Sequence, residues 1–146
     1  MNREFIPYEQ ALELKELGFN EPCFTTYDDD KRLRNPFDYE KSEYEESISY
    51  IEDSKEFIHN SDLTFENFNA HPDHYTQFIT APLYQQAFRF FREKGFLIDI
   101  TSHNTDVYEF YIRWHPNKPT LSDYYNTYEE TELECLKKLI EIAKNK

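Results

Sequence analysis

"APLYQQAFRFFREKGFLIDITSHNTDVYEFYIRW" (residues 81–114) decides the fold. Its first part follows a helical rule. Tyr84, Ala87, Phe88 and Phe91 stand at i, i+3, i+4 and i+7, while Gln85, Arg89, Arg92 and Glu93 fill the other side. The helix is expected to start at Thr80 or Ala81. Its second part changes period. Phe96, Ile98 and Ile100 alternate with Leu97, Asp99 and Thr101. Tyr108, Phe110, Ile112 and Trp114 alternate with Val107, Glu109, Tyr111 and Arg113. These are two strands of a hairpin. A two-residue turn at Asn104 and Thr105 would set Ile100 opposite Glu109 and mismatch every face. An odd-length connection near 103–106 restores the match, with Ile100 opposite Phe110 or Tyr108.

The switch of period falls at Gly95, one of only two glycines in the chain. The other, Gly18, sits in "KELGF" (15–19) as Gly95 sits in "REKGF" (92–96). Each ends a helical run and is followed by Phe, as a left-handed helix stop requires. A phosphate-cradling loop needs several glycines, so neither site is one. Ahead of Gly18, "PYEQALELKELG" reads as a helix with Pro7 at its first position. Tyr8, Ala11, Leu12 and Leu14 form its apolar side, and Glu9, Glu13 and Glu16 its acidic stripe. "CFTTY", "DDDK" and "RLRN" (23–35) outline a poorer hairpin, and 63–80 offers an edge strand. The helix–Gly–Phe likeness is read as shared stop chemistry, not duplication.

The last helix opens on a capping box, Thr127 and Glu130. Leu133, Leu136, Leu139, Ile140 and Ala143 give its apolar side, and Glu134–Lys138 is an i, i+4 pair. The fold expected is α+β. An antiparallel sheet built around a 96–114 hairpin packs on helices near 7–17, 82–94 and 127–144. The 146 residues are read as a single domain, with an acidic, Tyr-rich segment near 36–62.

Three blocks, "IPYEQALELKELGFNEPCF", "APLYQQAFRFFREKGF" and "TYEETELECLKKLIEIAK", cover about half of the chain. In that order they resemble a family of small uncharacterised proteins encoded by phages and prophages. The resemblance implies a phage-related origin and brings no catalytic residues with it.

Charge narrows the functional classes. The net charge is -13, and residues 1–80 hold 7 Lys/Arg against 19 Asp/Glu. Such a field repels phosphate backbones, so nucleic acid is not the expected partner. From residue 81 the order helix–strand–strand–(strand near "YYNT")–helix is similar to a double-stranded RNA-binding domain. The last helix, however, begins "TYEETELE", acidic where such domains are basic. "MNREFIPYEQ" lacks the apolar core of a secretory signal, and no apolar run approaches a membrane span. Cys23 and Cys135 form no CxxC and read as reduced thiols. A cytoplasmic protein of a bacterial host cell is expected, with no membrane contact.

The leading reading is a non-enzymatic protein-binding module, with host takeover or nucleic-acid charge mimicry as versions. Its contact residues would be Asp28, Asp29, Asp30, Tyr39, Glu40, Glu43, Tyr44, Glu45 and Glu46, facing a basic protein surface. No cofactor is expected. One alternative is a small metal-dependent hydrolase or nuclease using "HPDH", where His71, Asp73 and His74 are ligand types. His59, His103 or His115 would have to complete that site. The reading of the motif itself is a polar turn without metal. Another alternative is a small-ligand binder with an aromatic pocket, since 18% of the residues are Phe, Tyr or Trp.

Overall fold

The computed structural model describes residues 4–28, 30–33, 60 and 79–146. Among the described residues, three helices and two small antiparallel sheets make the architecture α+β, as the sequence predicts. The chain falls into two compact units. One comprises Tyr84–Lys146 with residues 4–6, and the other Pro7–Leu83. No helix among the described residues is long and apolar enough to cross a membrane.

In the unit of residues 7–83, α1 spans Tyr8–Glu16 and buries Gln10, Ala11 and Leu14. Pro7 is the residue before the helix, with extended ψ, rather than the first helical one. Gly18 adopts φ +92°. Its N–H donates to the Lys15 carbonyl at 3.0 Å, and the Phe19 N–H donates to the Leu14 carbonyl at 2.9 Å. This pair of bonds is the Schellman stop expected there. A strand does not follow at once. β1 (Thr26–Tyr27) pairs with β2 (Ile79–Thr80), with Thr26 opposite Thr80. Of the return expected over "RLRN", the described residues show a bridge between Tyr27 and Leu33. Thr80 therefore belongs to a strand, not to a helix start.

This unit carries a polar lock. The Asn60 amide, 7% exposed, donates to the Phe19 carbonyl at 2.8 Å, and its oxygen accepts the Thr80 N–H at 3.0 Å. One side chain thus satisfies a helix-stop carbonyl and a strand amide that would otherwise be buried unpaired. Cys23 is buried nearby, and burial pushes its thiol up to about 12. The Thr80 hydroxyl is close enough to temper that rise but lies outside good hydrogen-bond geometry.

In the unit of residues 84–146, α2 (Tyr84–Glu93) buries Ala87, Phe88 and Phe91. It stops at Gly95, φ +94°, with the Gly95 N–H bonded to the Arg92 carbonyl and the Phe96 N–H to the Phe91 carbonyl. The Phe91 and Phe96 rings meet edge to face at 5.7 Å, so the stop is also a core contact. β3 (Leu97–Asn104) and β4 (Val107–Arg113) form the hairpin, with Ile100 opposite Phe110. The odd residue is a bulge at His103, and the loop itself is only Thr105 and Asp106. The Asn104 side chain accepts the Asp106 N–H and shapes that turn.

β5 (Thr120–Leu121) completes the sheet in the order β3-β4-β5. The strand expected near "YYNT" continues it one residue out of step. Tyr125 and Tyr108 exchange both backbone hydrogen bonds, at 2.8 and 2.9 Å. Between the two pairings the Ser122 hydroxyl accepts the Phe110 N–H at 2.8 Å. α3 (Tyr128–Lys144) follows, with the Thr127 hydroxyl accepting the Glu130 N–H at 3.1 Å. Among the described residues the return bond from Glu130 is not made. Glu134 pairs with Lys137 and Glu141 with Lys138, so both ion pairs are i, i+3 instead of the expected i, i+4.

Phe88, Phe91, Phe96, Phe110, Ile112, Cys135, Leu136, Leu139 and Ile140 form the core of this unit. Ile98 and Ile100 are only half-buried, because β3 is an edge strand with a partner on one side. The helices cover one face of the sheet. Tyr128, at the start of α3, meets Tyr108 edge to face at 6.1 Å, and Lys146 beyond its end lies 5.7 Å from the Trp114 ring centre. The helix thus runs in the direction of β4. Its N-terminus sits at the hairpin end of the sheet.

Candidate functional site

The acidic turn at 28–30 is organised by its own first residue. Asp28 Oδ1 accepts the backbone N–H groups of Asp30 and Arg32 at 2.9 and 3.0 Å. Its carboxylate is thereby engaged in an Asx-type turn. Lys31, at φ 60°, pairs with Glu9 at 2.8 Å and lies over the Tyr8 ring. Asp30 is exposed. Asp29, Tyr39, Glu40, Glu43, Tyr44, Glu45 and Glu46 lie outside the described residues, as do His59, His71, Asp73 and His74. The acidic, Tyr-rich segment near 36–62 lies outside them too, apart from Asn60. Of the remaining histidines, His103 pairs with Glu109 and His115 is exposed. No group of three or more metal-ligating side chains occurs among the described residues.

A second acidic, tyrosine-bearing surface emerges at the hairpin end of the sheet. It is built from residues 102–112 and 119–136, which hold seven carboxylates and no Lys or Arg. The carboxylates are Asp106, Glu109, Asp123, Glu129, Glu130, Glu132 and Glu134. Three elements converge there: the hairpin loop, the strand ending at Tyr125 and the first turns of α3. The Tyr108–Tyr125 bridge and the Tyr108–Tyr128 ring contact fix them to one another. Phe110 stacks on Tyr125 from below. Tyr124 faces outward, 68% exposed, and its ring meets that of His103 edge to face at 5.6 Å. His103 Nε2 lies 2.7 Å from Glu109 Oε1. The bulge is what turns His103 toward both partners.

The field at this end is negative. Burial first, then the charges of Glu134, Asp123 and Glu130, hold the Tyr125 hydroxyl above its ordinary pKa. Burial, the Glu132 charge and a hydrogen bond to Glu132 do the same for Tyr128. Burial and the neighbouring Glu129 raise the Glu132 carboxyl. Cys135, on the buried side of α3, is pushed up to about 12 by burial and then by Glu132, so it is an inert thiol and not a nucleophile. What this surface offers is fixed aromatic area inside a negative field that Lys137 offsets only at Glu134.

The surface was written in "SDYYNTYEETELE" (122–134) as plainly as in residues 28–46. In the sequence reading that stretch serves as a strand, a helix cap and an argument against RNA, and helix capping explains its first acids. The contribution of Asp106, Glu109 and His103 depends on the bulged register, which no local signal gives. Compared with protein-family models, curated proteins and solved structures, the chain matches none.

Proposed function

We propose that this chain is a non-enzymatic protein-binding module of phage type that docks a basic protein surface onto acidic, tyrosine-bearing surface. The observation that carries the reading is the hairpin end of the sheet. The stretches that build it hold seven carboxylates and no Lys or Arg, and they carry Tyr124 and Tyr128, which are 68% and 45% exposed. Tyr gives contact area at low entropic cost, and exposed carboxylates steer and orient a cationic partner. Residues 28–46 extend the same chemistry along the sequence, so both acidic stretches belong to the proposal.

The test is capture from bacterial lysate by wild-type protein and by D123K/E129K/E130K. These three side chains are exposed and lie outside the core. The wild type should retain basic proteins at about 0.15 M salt and release them near 1 M, where the screening length falls to about 3 Å. The reversed variant should retain none of them. Identical capture by both proteins, with the same salt response, would remove this surface from the reading.

A further inference from the structure

We propose that the exposed rings of Tyr124 and Tyr128 are seats for arginine side chains of the docked partner. This rests on the reading of the hairpin end as the docking surface and adds what it recognises. Elsewhere in the chain, three rings already lie near a cation. Lys31 Nζ lies 5.1 Å from the Tyr8 ring centre, Lys94 4.7 Å from Phe90, and Lys146 5.0 Å from Phe96. Among the described residues no Lys or Arg covers Tyr124 or Tyr128. The stretches that build this end have none to offer.

Both rings are held in place before any partner arrives. Tyr124 is braced by His103 at an interplanar angle of 89°, and Tyr128 by Tyr108 at 80°. A ring face in a negative field attracts a cation twice, through its quadrupole and through the carboxylates beside it. Arginine fits better than lysine. Its planar guanidinium stacks on a ring while its N–H fork reaches a carboxylate, and Asp123 and Glu129 are the chain neighbours of the two tyrosines.

The experiment uses the full chain and two fluorescent peptides of alternating Gly and Arg or Gly and Lys, at one fixed salt concentration. The Arg peptide should bind more tightly than the Lys peptide. Tyr124→Leu should weaken Arg-peptide binding about two- to five-fold, the worth of an exposed cation–π contact. Tyr124→Phe, which keeps the ring, should not. Tyr128→Leu and Tyr128→Phe should repeat the pattern, but Tyr124 decides, since its ring is the more exposed. Equal binding by the Leu and Phe variants of Tyr124, or no preference for Arg, overturns the ring seats. In that case D123K/E129K/E130K separates the two ideas. If reversal still abolishes peptide binding, the docking surface stands without the seats. If reversal changes nothing, both fall.

Discussion

Glu132 shows how one residue's surroundings set the response to pH. Burial and the Glu129 charge raise its pKa, and the Tyr128 hydroxyl opposes them weakly. The folded chain therefore holds this proton more tightly than the unfolded chain. The stability that follows is present at acid pH and is lost as pH rises through the folded pKa. Glu132→Gln keeps an acceptor for Tyr128 and removes the charge. It should raise Tm at neutral pH and leave it nearly unchanged below the carboxylate range, in melts taken across pH. A variant no more stable at neutral pH would contradict the raised pKa. Gly95 makes a different point at the same scale. Nothing lies within 4 Å of an added Cβ there, so crowding cannot explain the glycine. The whole cost of Gly95→Ala is the backbone at φ +94°, about 1 kcal/mol, read from denaturant unfolding. Gly18→Ala should match it, because the conformations are alike.

At the scale of elements, the sequence is informative where one periodicity runs unbroken. α2 and α3 lie where the i, i+3, i+4 spacing puts them. The pairing of Ile100 with Phe110 follows from matching faces. Three things were not legible. The hairpin accommodates its odd residue as a bulge because local turn signals do not choose between strand and loop. The third strand slips by one residue because a Ser122 side chain replaces a backbone acceptor. β1 pairs with β2, more than 50 residues away, because no short-range pattern records long-range pairing. The core's weight lies on β4 rather than β3. Phe110→Ala should therefore cost about 3–5 kcal/mol, whereas Ile98→Ala and Ile100→Ala should each cost less than a fully enclosed residue would. Equilibrium unfolding of the three variants checks the order. Equal losses would mean that the edge strand is as well covered as the central one.

Across the whole molecule, net charge conceals where charge resides. Residues 81–146 balance 9 Lys/Arg against 10 Asp/Glu. In the folded unit the distribution is uneven, although Glu93, Asp99 and Glu141 lie toward the same end as the cations. Carboxylates gather at the hairpin end. Arg92, Lys94, Arg113 and Lys146 sit at or near the other end, where α2 stops and β4 and α3 finish. A sequence sum cannot see this, because the two poles interleave along the chain and separate only when the sheet forms. The excess of -13 is still a cost to any compact state. Raising salt from about 0.01 to about 0.15 M shortens the screening length from about 30 to about 8 Å, so Tm should rise over that interval. A Tm that falls instead would place the stabilising ion pairs above the self-repulsion.

Asn60 also makes one amide matter to the unit of residues 7–83. Hydrolysis of such an amide by water would release ammonia and leave a carboxylate, so its two N–H donors would be replaced by an acceptor oxygen. The Phe19 carbonyl, now held by the Asn60 amide, would face a negatively charged oxygen in a buried site, which is among the costliest arrangements a protein can hold. A change of one atom type would thus unfasten the helix stop from β2 without cutting the chain.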